Sequence, residues 1–270
     1  SAPPGANRPT LTGRQSGAQC GRRVQPISPS PGAAGYAKRR AMSANTDSNP
    51  ASGSAIVVAV DGPAAAGKGT LARRLADALN LVYLDTGSIY RAVAAKLLAA
   101  GGDPEDAQAA CAVARGLTSD DLGRDDLRAE GVGAAASVVS AHQDVRAALL
   151  AFQRAVAFDP PAGRAGAVLD GRDIGTVVCP DACAKLFVTA SLEERARRRH
   201  EELLGRGEAR IYARVLEDLR ERDERDAARE TAPMTAAVDA VTLDTSDLDV
   251  ESAFHRALDI VRSRCGVTTA

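Results

Sequence analysis

Gly62-Pro63-Ala64-Ala65-Ala66-Gly67-Lys68-Gly69-Thr70 lies between two stretches of opposite character, and its reading decides the fold. Before it, Ala55-Ile56-Val57-Val58-Ala59-Val60 is a continuous apolar, β-branched run of the kind a strand buried on both faces requires. After it, residues 68–79 carry Leu71, Leu75, Ala78 and Leu79 on one helical face and Arg73, Arg74 and Asp77 on the other. Strand, glycine turn and helix open a β-α unit. The turn itself matches G-x-x-x-x-G-K, with Gly69-Thr70 where a Ser or Thr usually follows the lysine directly.

The residue types suit one chemistry. Glycines let the backbone close into a nest of N–H groups around a phosphate, and the helix N-terminus adds a partial charge of about +0.5. Lys68 is placed to reach the β and γ phosphates of a nucleoside triphosphate, and Thr70 offers a hydroxyl to phosphate or to a magnesium-bound water. A bare strand-to-helix turn is the alternative, and the joint presence of Gly62, Gly67, Lys68 and Thr70 at that junction argues against it. Gly62, Pro63, Ala64, Ala65, Ala66, Gly67, Lys68, Gly69 and Thr70 are therefore the candidate ATP contacts. A phosphate loop alone does not separate a motor, a switch and a kinase.

Outward from the loop, Leu81-Val82-Tyr83-Leu84-Asp85-Thr86 reads as a second strand, and residues 88–102 as a helix stopped by Gly101-Gly102. Asp103 and Pro104 suit the N-cap and N1 positions of a third helix to Leu117, and a helical region is expected from about Leu127 to Ala157. Residues 166–171 and 184–190 are further apolar strands, and Ser191 with Glu194 fits a capping box opening a charged helix. Residues 209–230 read as another helix, 240–245 as the last strand and 250–264 as the closing helix. Five apolar strands alternating with helices predict a three-layer α/β fold with a mainly parallel sheet.

Residues 1–54 are rich in Pro, Gly, Ser, Ala and Asn and are expected to be disordered. They hold seven basic residues before the first acid, Asp47, and three readings compete: a transit peptide, a basic arm, or sequence upstream of a short native start at Met42, which is favoured. The chain has 34 basic and 35 acidic residues, so residues 42–270 carry −8. That balance argues against non-specific nucleic-acid binding. No apolar run of membrane-spanning length occurs. Cys20, Cys111, Cys179, Cys183 and Cys265 are scattered and read as reduced thiols, and His142, His200 and His255 share no motif.

Four signatures follow in order: DGPAAAGKGTLARRLA from Asp61, LDTGSIYR from Leu84, DGRDIGTVV from Asp170, and RERDERD from Arg220. Together they resemble the cytidylate kinases, over about Ile56 to Arg264. The resemblance implies a P-loop kinase fold with a five-stranded parallel sheet over residues 55–266, followed by a short tail at 267–270. It also implies a compact acceptor-binding insertion at about 92–157 and an arginine-rich helical lid at about 195–230. It implies transfer of the γ-phosphoryl of ATP to CMP and dCMP with Mg²⁺, by a cytoplasmic protein acting as a monomer without nucleic-acid or membrane partners.

By the same resemblance Thr86, Tyr90 and Arg91 face the acceptor, with Arg91 on its phosphate. Arg172 would hold the monophosphate and Asp173 the base edge, while Ser137 and Arg146 help to read cytosine. Arg222 and Asp226 would reach the ribose, Arg229 the acceptor phosphate, and Arg199 the donor from the lid. Lys68, Arg172, Arg199 and Arg222 are thus the candidate catalytic cations. Asp170, ending a strand, is placed to order a magnesium-bound water. Ala65 departs from the glycine many relatives carry, a change that a negative φ would accommodate. The rival functions are an adenylate, thymidylate or shikimate kinase on the same scaffold and, from another class, a nucleic-acid-dependent ATPase.

Overall fold

A computed structural model describes residues 55–129 and 131–267. The basic tail and its three readings lie outside the described residues. Five strands form one sheet: β1 Ile56–Asp61, β2 Val82–Asp85, β3 Gly166–Asp170, β4 Ala184–Thr189 and β5 Val241–Asp244. Their order is β2-β3-β1-β4-β5 and every pairing is parallel.

The alternation of a buried strand explains the layers. Val58 and Val60 of β1 point into one core with α1 (Lys68–Ala78) and α9 (Val250–Cys265), where Leu71, Leu75, Leu258 and Val261 pack. Val57 and Ala59 point to the other side, against Leu169, Ile174, Val178 and Ala157. A third core joins α2 (Thr86–Ala99), α3 (Ala107–Arg115), α5 (Val132–Val139) and α6 (Gln143–Phe158), with the short α4 (Ser119–Leu122) and a 3-10 turn at Asp125–Arg128 beside them. Helices α7 (Leu192–Gly205) and α8 (Tyr212–Ala227), over the segment expected to form a lid, share a small core that includes Ala64 of the phosphate loop.

Three details differ from the sequence reading. The third helix starts later, because Asp106 rather than Asp103 caps it, accepting from the amides of Gln108 and Ala109, both at 3.0 Å. The helical region at 127–157 breaks at Ser140–His142, where Ser140 Oγ donates to the Ser137 carbonyl. Cys183 and Cys265 form a disulfide rather than two reduced thiols, since the start of β4 and the end of α9 bring their Cα atoms to 5.2 Å. Among the described residues no helix is long and apolar enough to cross a membrane.

Candidate active site

Asp61, Asp85 and Asp170 end three adjacent strands, β1, β2 and β3, so the C-terminal edge of the sheet is acidic where the phosphate loop leaves it. Parallel α/β sheets bind ligands at this edge.

The loop takes its shape from three residues with positive φ: Gly62 at 138°, Ala65 at 60° and Gly67 at 85°. Gly62 is required, since a Cβ there would meet the Val188 carbonyl oxygen at 1.9 Å. Ala65 does not keep the negative φ expected of it; as an L-residue in the left-handed region it costs about 1–2 kcal/mol. The carbonyl of Ala64 accepts from Arg195 Nη1 and that of Ala66 from Thr245 Oγ1, both at 3.3 Å. In planar trans peptides those bonds turn the Ala65 and Gly67 amides the opposite way, away from Arg195 and Thr245.

Lys68 is buried, with its Nζ donating to the Pro63 carbonyl at 2.7 Å and 3.9 Å from Asp170 Oδ1. Burial, joined by the neighbouring Arg172 charge, pushes the ammonium down to about 7. Burial likewise pushes the Asp170 carboxyl up, with Lys68 opposing. Thr86 Oγ1 donates to the Asp170 carbonyl at 2.7 Å, which ties the start of α2 to the end of β3. Thr70 is exposed on the first turn of α1.

A second cluster of candidate residues is built from distant segments. Arg146 on α6 and Asp173, just after β3, form a buried ion pair, and the Arg146 guanidinium lies 5.6 Å from the Tyr90 ring centroid. These three line a cavity of about 170 Å³ together with Leu150, Gln153 and Val178. Deeper toward the loop, Arg172 Nε donates to Asp226 Oδ2 at 2.9 Å, and Arg229 pairs with the same carboxylate. Arg91 and Arg222 stand near Arg172. Burial pushes Arg222 down to about 9, with Arg172 adding to the effect, and its buried Nε has no hydrogen-bond partner. Burial works against the Asp226 charge, but Arg172 and Arg229 hold its carboxyl below the usual range. Arg172, Arg229 and Arg222 surround this one carboxylate, with Arg91 beside them, a cluster of cations suited to a phosphate.

Three site residues escaped the sequence reading. Arg195 Nη1 touches the loop at Ala64 and pairs with Asp223 at 2.7 Å. Arg198 bonds the Thr245 hydroxyl and carbonyl at 3.0 and 2.6 Å, beside Gly67. Arg199, expected to reach the donor, pairs with Glu202 at 2.7 Å on the half-exposed side of α7. Gln153, fully buried, lines the same cavity as Tyr90 and donates from Nε2 to the Leu149 carbonyl at 3.3 Å. Ser137 Oγ accepts from Arg225 at 3.0 Å, and Ser140 Oγ accepts from Arg229 at 2.8 Å. A glutamine two turns beyond the pocket arginine on an apolar helix face is the signal for Gln153. A larger, shallow cavity of about 450 Å³, lined by Glu194, Arg197, Tyr212 and Ser246 among others, contains none of the candidate residues.

A family model described as cytidylate kinase matches residues 58–263. A cytidylate kinase of Paramagnetospirillum magneticum is 60% identical over 208 residues, covering 77% of this chain and 98% of the relative. One of Rhodospirillum rubrum is 56% identical over 206 residues, covering 76% and 97%. One of Xanthobacter autotrophicus is 57% identical over 209 residues, covering 77% and 98%.

Proposed function

Since the chain belongs to the cytidylate kinase family, we propose that it transfers the γ-phosphoryl group of ATP to CMP, and to dCMP, giving ADP and the corresponding diphosphate. The observation that carries the reading is the buried Arg146–Asp173 pair, set in a cavity beside the Arg172–Asp226–Arg229 cluster. Asp173 can accept from the exocyclic amine of cytosine, and Arg146 can donate to its carbonyl oxygen or ring nitrogen. Uracil presents a carbonyl where cytosine has the amine, which would set two acceptors face to face.

The arginines divide the remaining work. Arg91, Arg172 and Arg229 would hold the acceptor phosphate and Arg222 with Asp226 the ribose, while Lys68 and the loop amides hold the donor. Charge then moves between fixed cations, and phosphoryl transfer of this kind needs little covalent help. The lid helices, which already reach the loop through Arg195, would exclude water on closure.

Magnesium suits the donor set. The oxygens of Asp170 and Thr70 are hard ligands, and among the described residues no group of three or more His, Cys, Asp or Glu forms a cage. This is the pattern of an ion held by one or two protein groups plus substrate phosphates. When bound, the ion neutralises charge between the donor phosphates.

The reading places the enzyme in pyrimidine nucleotide metabolism, as a cytoplasmic monomer. The Cys183–Cys265 bridge argues the other way on compartment, because disulfides persist mainly in oxidising settings.

The test is an acceptor panel of CMP, dCMP, UMP, AMP, dTMP and shikimate with ATP and magnesium. CMP and dCMP are expected to be turned over fastest. Preference for AMP, dTMP or shikimate would replace the substrate assignment, and DNA- or RNA-stimulated ATP hydrolysis without an acceptor would replace the reaction.

A further inference from the structure

Asp61 belongs to neither half of the site and adjoins both. It is the last residue of β1, immediately before Gly62, where the phosphate loop begins. Its carboxylate engages the other half: Oδ1 accepts from the Ile174 amide at 2.8 Å and Oδ2 from the Gly175 amide at 2.7 Å. Those amides open the single turn Ile174–Val178, and Asp173 is the residue just before them.

The far end of the turn is held too. Arg154 of α6 donates from Nε to the Val178 carbonyl at 2.9 Å and from Nη2 to the Val177 carbonyl at 3.0 Å. A carboxylate on the loop's own strand therefore fixes the start of the turn, and a guanidinium from the insertion fixes its end. The first contact is dry: Asp61 is 5% exposed, and burial pushes its carboxyl up to about 7 against the pull of the two amides. Both oxygens are used, each on a different amide, so no neutral side chain of the same size can replace both bonds.

We propose that Asp61 is a positioning residue for acceptor recognition. By clasping the turn that follows Asp173 it sets the base-reading carboxylate in register with the phosphate loop, so one strand end aligns both substrates. The proposal rests on the cytidylate kinase reading. Both Asp61 hydrogen bonds go to the acceptor segment, and toward Lys68 it acts only as a nearby charge, the weakest of the influences on either group. Its loss should therefore act chiefly on CMP and only slightly on ATP, whereas a merely stabilising residue would affect both alike.

Asp61→Asn keeps the shape but leaves one amide facing an NH₂ group. Loss of one buried, charge-assisted bond predicts a KM for CMP raised about tenfold or more. The preference for CMP over UMP should fall several-fold, with KM for ATP within about twofold. Gly175→Ala crowds the same contact from the opposite side, since its Cβ would lie 3.1 Å from Lys185 Cδ and 3.3 Å from Asp61 Oδ2. It should show the same split at smaller amplitude, and it carries the test if Asp61→Asn does not fold. Folded variants with unchanged KM for CMP and unchanged selectivity, or with both KM values raised together, would overturn the role given to Asp61 alone. A wild-type chain that fails to phosphorylate CMP would overturn this role and the proposed activity together.

Discussion

The proposed donor and acceptor halves of the site are assembled in different ways. The proposed donor half is one continuous segment, nine residues between β1 and α1, shaped by its own positive-φ residues and steadied by bonds from Arg195 and Thr245. The acceptor half draws Tyr90 from α2, Arg146 and Gln153 from α6, Asp173 from beyond β3 and Asp226 and Arg229 from α8 and its end. A contiguous site can be formed by glycines and one helix N-terminus. A dispersed one needs the whole tertiary structure, and its charges must be paired with one another before any ligand arrives.

Breaking the donor half should have the larger effect. Lys68→Ala is expected to lower kcat on the order of 10³-fold while leaving the circular dichroism spectrum intact. Near-normal turnover would remove the lysine from the mechanism. Breaking the acceptor half should change choice more than rate. Asp173→Ala is expected to narrow the CMP over UMP preference about ten- to a hundred-fold, the worth of one polar base contact. Competition assays with mixed acceptors would read that ratio directly, and an unchanged ratio would exclude Asp173 from base recognition.

Protonation sharpens the contrast further. Because burial depresses Lys68 to about 7, the unfolded chain binds a proton there that the folded chain releases between about pH 7 and 10. Stability should therefore rise with pH across that window as far as this group is concerned. Triphosphate binding restores the ammonium, so at pH 8 ATP should bind with net proton uptake of up to about one proton, and CMP with little. Titration calorimetry in two buffers of different ionisation enthalpy measures the difference, and equal values for the two ligands would contradict it.

The smallest effect is expected at Ala65. With its φ at 60°, Ala65→Gly should relieve strain and stabilise the fold by up to about 1 kcal/mol, less the added freedom of glycine in the unfolded chain. Denaturant unfolding would register the gain, and a loss of stability would show that the left-handed conformation carries no strain.

What was legible in the sequence follows the same division. The five strands and the phosphate loop were readable because apolar runs and glycine spacing are local signals. The break at Ser140–His142 was not, because the polar residues from Ser140 to Asp144 suit an exposed stretch of helix equally well, and only the fold shows Ala141 and His142 closing on Val138 and Val139 while Ser140 bonds back to Ser137. Arg195 and Arg198 were hidden among eleven lid arginines: composition does not tell which face of α7 meets the loop. The Cys183–Cys265 bridge joins residues 82 apart, so spacing gave no hint of it. Asp61 was quoted within a motif, and only the fold brings it to Ile174 and Gly175.

In the proposed mechanism the loop amides and Lys68 grip a triphosphate independently of the pocket that reads the acceptor. Calorimetric titration of ATP into the Lys68→Ala and Asp173→Ala variants tests that most directly. Affinity for ATP should fall at least tenfold in the first and stay within about twofold of wild type in the second. Undiminished ATP binding by the Lys68→Ala variant would contradict it.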